Sequence, residues 1–306
     1  MLAAVLADFA RVGGVEPLTL VDEGGADVAA GNSQRQVRAG EEAAAFRELA
    51  RWADYTLVIA PEFDGLLETR CRWALEAGGR LLGPSPEAVG LAGDKLRLGR
   101  HLESRGIPTP RVLPSREPWP RTAFPAVLKP RHGAGSRATF LLGGPEELAA
   151  WVSGDQGNDE TLIQAFVPGI PASVALLIGP RQRIALLPAA QHLSGDARFR
   201  YLGGSIPLAP GLAVRAVRLA ERAAAAVSGL QGYVGVDLVL GDTADGSRDW
   251  VIELNPRLTT SYVGLRVMAQ TNLAEAMLRV VRGEPVPEIR WHPGTVRFRP
   301  DGLVTR

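Results

Sequence analysis

Two apolar segments joined by a polar loop, YVGVDLVL at 233–240 and DWVIELN at 249–255, constrain this chain more than any other feature. The intervening GDTADGSRD is rich in residues that reverse a chain, so the pair reads as an antiparallel hairpin inside a sheet. Side chains alternate along a strand, which puts Glu253 and Asn255 on one face and Ile252 and Leu254 on the other. With the hairpin paired, Asp237 can share the face of Glu253 and Asn255. Three hard oxygen ligands then converge, a set suited to Mg²⁺ shared with phosphate. Arg257, just beyond Pro256, places a fork of donors at the edge of this cluster. An isolated E-x-N would be read as ordinary polar residues on a solvated face; the partner strand with Asp237 and the N-P-R extension tell against that.

The rest of the chain is α/β and α+β in pattern. At 306 residues it exceeds one ordinary domain, and three regions are expected: 1–83, 84–167 and 168–306. The first alternates helix and strand, with strands at 18–21, 56–60 and 80–83 and helices near 41–52 and 65–78. It begins with a helix, which suggests a missing first strand or a start further upstream. The second opens at the turn Pro84 to Pro86, continues with a helix near 94–105, and holds FPAVLKP at 124–130, GAGS at 133–136, ATFLL at 138–142 and TLIQAFV at 161–167. The third holds SVALLIG at 173–179, RIALLPAAQ at 183–191, an Ala-rich helix near 210–228, the hairpin above and a helix near 272–282.

Net charge is +1 with the basic residues spread along the chain, so neither nucleic acid nor an acidic membrane is an expected partner. No run approaches the roughly 18 apolar residues of a membrane span, and the single cysteine, Cys71, reads as a structural thiol in a cytoplasmic protein. The basic residues carry a sharper signal. Of 34, only Lys95 and Lys129 are lysine and the other 32 are arginine. A compact ammonium is needed where a planar guanidinium does not fit, so these two positions are candidate phosphate contacts. Lys129 precedes a glycine-containing turn between two strands, where bare backbone N–H groups can approach polyphosphate. Glycine-rich hairpin turns without ligand are common, and GAGS alone carries little weight.

Taken together, the helix-opening lysine in GDKLRLGR, the strand lysine before a glycine loop, the short linker and E-x-N-P-R resemble the ATP-grasp superfamily from residue 84 to about 270. More narrowly, APEFDG at 60–65, FRYLGGSIPL at 199–208 and ELNPRLTTSYVGLR at 253–266 resemble the tyramine-glutamate ligase group of methanofuran biosynthesis. The resemblance implies an ATP-grasp fold, two α+β subdomains clamping ATP, behind a truncated Rossmann-like pre-ATP-grasp domain. It implies that Lys95 and Lys129 contact the phosphates, that Gly133, Ala134, Gly135 and Ser136 form a lid, and that Gln164, Phe166 and Val167 line the adenine site. Asp237, Glu253 and Asn255 would hold one or two Mg²⁺ ions, with Mn²⁺ as a substitute, and Arg257 would steady the transferring phosphoryl group. Thr259, Thr260, Tyr262 and Arg266 would touch substrate.

The implied activity is ATP-dependent ligation of a carboxylate, the γ-carboxyl of glutamate, to tyramine or a related amine through an acylphosphate. The alternatives are another amino-acid or peptide ligase of the superfamily, or a degenerate ATP-binding module. Small carboxylates and amines are the expected partners, with a homodimer as the candidate assembly. One departure stands out: Pro171 and Ala172 occupy the place where the family usually carries an acid for the ribose.

Overall fold

The computed structural model of the chain describes residues 1–23, 33–133, 135, 136, 138–154 and 160–306. The first unit holds α1 (Leu2–Phe9), β1 (Leu18–Asp22), β2 (Ser33–Val37), α2 (Glu42–Trp52) and α3 (Leu66–Glu76). β1 and β2 run parallel. β2 falls in a stretch expected to be a polar connection, because SQRQV offers only one apolar residue and takes its form from the ladder rather than from burial. The strands expected at 56–60 and 80–83 reduce to one parallel bridge between Thr56 and Leu81. Their apolar residues have another use. Val58 packs with Leu67, Cys71 and Ala74, while Leu57 and Ile59 lie against the larger core. Burial, and secondarily the Glu68 charge, pushes the Cys71 thiol up to about 12, which suits a structural thiol.

The second unit begins with α4 (Pro86–Gly93) and α5 (Lys95–Ser104). α4 stands where only a turn was expected: the Ser85 hydroxyl accepts from Ala88 N–H at 3.2 Å, and Pro86 is preset for a first helical turn. Then come β3 (Val112–Pro114), β4 (Ala126–Pro130), β5 (Phe140–Leu142), α6 (Pro145–Ser153) and β6 (Thr161–Ala165). They form an antiparallel sheet in the order β3-β6-β4-β5, with Ala126 opposite Leu142, so the hairpin carrying Lys129 and the glycine loop is present.

The third unit contains β7 (Ile170–Ile178), β8 (Arg183–Ala185), β9 (Ala189–Leu193), β10 (Tyr201–Ile206), α7 (Pro210–Ala225), β11 (Gly232–Leu240), β12 (Trp250–Asn255), α8 (Ser261–Met268), α9 (Leu273–Arg282), β13 (Val296–Phe298) and β14 (Val304–Thr305). Its sheet runs β12-β11-β7-β9-β10-β13-β14, with β8 beside β7. The pleat sorts the side chains. Val174, Leu176, Val234, Val236 and Leu238 face Ala216, Leu219, Ala220 and Ala223 of α7. Ala175, Leu177 and Tyr233 face α8 and α9 through Tyr262, Leu265, Ala274 and Met277. The second face is left open at one end by Ser173 and Asp237, and there the two large sheets meet across a cleft. Among the described residues no helix is long and apolar enough to cross a membrane.

Candidate functional site

The cleft, about 670 Å³, is lined by residues of both large sheets and by Phe63 of the first unit. That volume is ordinary for a small-molecule site. Lys95 opens α5 directly after Asp94, whose carboxylate accepts from Leu96 and Arg97 N–H at 3.1 Å each. Asp94 also takes a two-pronged pair from Arg131, at 2.9 and 2.7 Å, so the helix start is tied to the end of β4. Burial opposes ionisation of Asp94, but these bonds hold its carboxyl below the usual range. Thus Lys95 enters the cleft from a capped helix end, donating to Gly133 O at 2.7 Å and lying 3.5 Å from Glu253.

Lys129 comes from β4 and is 6% exposed. Burial, opposed by the Glu253 charge and assisted by Lys95, brings its ammonium down to about 8. Both lysines of the chain therefore lie in one cleft. The glycine loop beside them uses left-handed backbone at Gly135, φ 72°, and even at Ser136, φ 55°, where a side chain is strained. Gly133, Gly135, Ser136, Gln164, Phe166 and Val167 all line the cleft. Ala134 lies outside the described residues.

The oxygen cluster forms with one change. Asp237 stands opposite Glu253 in the β11–β12 ladder, but the next pair is Leu238 with Val251. Ile252 is the extra residue of a bulge, and it lines the cleft beside Glu253 instead of facing the opposite side as strict alternation predicts. Asp237 accepts from Gln191 at 2.9 Å and from Asn255 Nδ2 at 3.0 Å. Burial and the neighbouring Glu253 charge raise its carboxyl to about 7. Burial also works against Glu253, yet Lys95 and Lys129 outweigh it and keep that carboxyl below its ordinary value. Gln191 and Ser173, which touches Asp237 from β7, escaped sequence reasoning because only the strand order puts β7 beside β11 and β9 next beyond it.

Among the described residues no group of three or more His, Cys, Asp and Glu could hold a metal. The set here is two carboxylates plus the amide oxygen of Asn255, whose nitrogen is already spent on Asp237. Such hard donors fit Mg²⁺, and a divalent cation between two crowded carboxylates relieves their repulsion.

Arg257 lines the cleft and is held from the first unit by Glu62. Nη2 donates to Oε2 at 3.0 Å, Nε lies 2.8 Å from Oε1 as an ion-pair contact, and Nη1 donates to Leu258 O at 3.1 Å. Thr259 and Thr260 also line the cleft. Tyr262 and Arg266 do not. They sit on α8 and turn to Asp8 of α1: Tyr262 donates at 2.7 Å, and Arg266 makes two bonds of 2.8 and 2.7 Å. Tyr262 is fully buried. An expected substrate contact is thus a clasp between the chain's first helix and α8. The signal missed was Asp8, an acid in an otherwise apolar helix.

The family model for the ATP-grasp domain matches residues 92–261, and that for the pre ATP-grasp 3 domain matches 15–89. Tyramine–L-glutamate ligases of Methanocaldococcus fervens and Methanocaldococcus jannaschii are each 26% identical over 231 residues, 76% of this chain. Those alignments span 67% and 64% of the two relatives, about two thirds of their length. A crystal structure of an ATP-grasp superfamily protein from Archaeoglobus fulgidus is 26% identical with a TM-score of 0.67, covering 89% of this chain and 76% of that one.

Proposed function

This chain belongs to the ATP-grasp family, with a pre-ATP-grasp domain ahead of the ATP-grasp fold, and from that membership we propose an ADP-forming ligase that joins a carboxylate to an amine. The observation that carries the reading is the meeting of both lysines with Asp237 and Glu253 in one cleft. Phosphoryl transfer asks mainly for charge neutralisation and alignment. Lys95, Lys129 and the N–H groups around Gly133 and Gly135 supply positive charge to the ATP phosphates, with Gln164, Phe166 and Val167 toward the base. Asp237, Glu253 and Asn255 would hold Mg²⁺, which would supply positive charge against the phosphates. A substrate carboxylate oxygen attacks the γ-phosphorus, breaking its bond to ADP. The amine nitrogen then attacks the acyl carbon, phosphate departs, and the amine proton is lost to solvent.

Glutamate, through its γ-carboxyl, and tyramine are the substrates we propose, on the likeness to ligases named for that pair. With Arg266 engaged by Asp8, Arg257 is the arginine among the described cleft residues that can meet an anionic group. The test is incubation with Mg-ATP, glutamate and tyramine, following ADP and fragmenting any product by mass spectrometry. A γ-amide is expected. ADP release that depends on a different acid and amine would remove this pair and keep the ligase; nucleotide binding with no dependence on any acid would leave a binding module.

A further inference from the structure

We propose that Glu62 is a positioning residue of the cleft: the first unit supplies it to fix the guanidinium of Arg257 with its end-on fork toward the reacting phosphoryl group. This rests on the role given to Arg257 above. A guanidinium offers two faces to a carboxylate, one side-on through Nε and Nη2 and one end-on through Nη1 and Nη2. Glu62 takes the side-on face with one hydrogen bond, Nη2 to Oε2 at 3.0 Å, and a 2.8 Å ion-pair contact from Nε to Oε1 that lacks hydrogen-bond geometry, while Leu258 O takes one Nη1 hydrogen at 3.1 Å. Nη1 and Nη2 each have a second hydrogen, on a residue that lines the cleft. Both partners are withdrawn from water, with side chains 15% and 5% exposed, so the pair is poorly screened.

The surroundings are built for this reach between units. Asp64 and Gly65 both have left-handed backbone, φ 56° and 63°, turning the chain directly after Glu62 and Phe63, which also lines the cleft. On the ATP-grasp side, the Glu62 stem packs against Gly93, where an added β-carbon would make ordinary contact with Glu62 Cβ at 3.4 Å. Gly93 immediately precedes the Asp94–Lys95 helix start. One crossing thus ties Arg257, just past β12, to the segment leading into the helix that Lys95 opens. The contact is more than charge compensation, since the Nη2 bond to Glu62 and the Nη1 bond to Leu258 O together restrict how the guanidinium can turn.

The experiment compares Glu62→Gln, Arg257→Ala and the double variant in the full chain. Affinities for Mg-ATP and Mg-ADP are measured by calorimetry, and turnover with whichever acid and amine the wild type accepts. Arg257→Ala is expected to lower the preference for ATP over ADP. Glu62→Gln is expected to lower that preference in part and to reduce kcat by roughly 10- to 100-fold, with the KM for ATP within about 3-fold and ADP affinity unchanged. In the Arg257→Ala background Glu62→Gln should add nothing, because it acts through the arginine. A purely structural ion pair would instead lower melting temperature and leave the ATP-to-ADP ratio alone. An impaired Arg257→Ala beside a normal Glu62→Gln overturns the role of Glu62; a silent Arg257→Ala overturns the role of the arginine itself. The affinity ratio decides even if no turnover is found.

Discussion

Glu253 lies within electrostatic reach of every charged group proposed for transfer: Lys95 at 3.5 Å, Lys129, Arg257 and the facing Asp237. Changing it to Gln keeps the shape and removes the charge, so the fold should survive while turnover falls by at least ~10²-fold, about 2.7 kcal/mol of transition-state stabilisation. Near-normal turnover in folded Glu253→Gln protein would remove the carboxylate from the site. Lys129 makes a prediction in pH. Its folded-state value of about 8 lies below the ordinary 10.5. Between those values the unfolded chain holds a proton that the folded one has released, so this residue adds stability to the ligand-free protein as pH rises through the window. ATP needs the protonated ammonium, so affinity should fall over the same range. Near pH 8, Mg-ATP binding should take up a proton, visible as a buffer-dependent heat, and Lys129→Met should abolish both effects.

At the scale of elements, the informative piece is the helix that follows N-P-R. α8 puts Thr259 and Thr260 at its cleft end while Tyr262 and Arg266 point back to Asp8 of α1. Breaking a buried ion pair by removing one partner costs roughly 3–5 kcal/mol, and the partial exposure of Arg266 reduces this to about 2–3 kcal/mol for Asp8→Ala. Tyr262→Phe, losing one hydrogen bond, should cost about 1 kcal/mol. Denaturant melts should show both losses with Mg-ATP affinity unchanged; a selective loss of substrate binding in Tyr262→Phe would return that residue to the site. The β11–β12 hairpin teaches a related lesson. Its pairing and the convergence of Asp237 with Glu253 follow from period-two reading, whereas the bulge at Ile252 does not, because an inserted residue leaves no trace in an apolar run.

Across the whole molecule the cleft is a joint between three units, with Phe63 from the first, Lys95 and Lys129 from the second, and Asp237 and Glu253 from the third. A ligand held by all of them stabilises the folded chain by linkage. At 100 times its dissociation constant Mg-ATP should add about 2.7 kcal/mol and raise the melting temperature by several degrees. Lys129→Ala should lose most of that shift at the same concentration, and an equal shift in the variant would exclude Lys129 from nucleotide binding.

Sequence by itself determined what is local. Strand alternation placed Asp237, Glu253 and Asn255 on a common face, and the scarcity of lysine marked the two ammonium groups that share the cleft. Tertiary structure alone decided which distant groups meet. Gln191 reaches Asp237 because β7 lies between β9 and β11, Arg257 is captured by Glu62 from 195 residues away, and Arg266 is withdrawn by Asp8 across 258. A guanidinium in a sequence carries no sign of whether its donors are already taken, because the acid that takes them is chosen by packing and strand order rather than by neighbours in the chain.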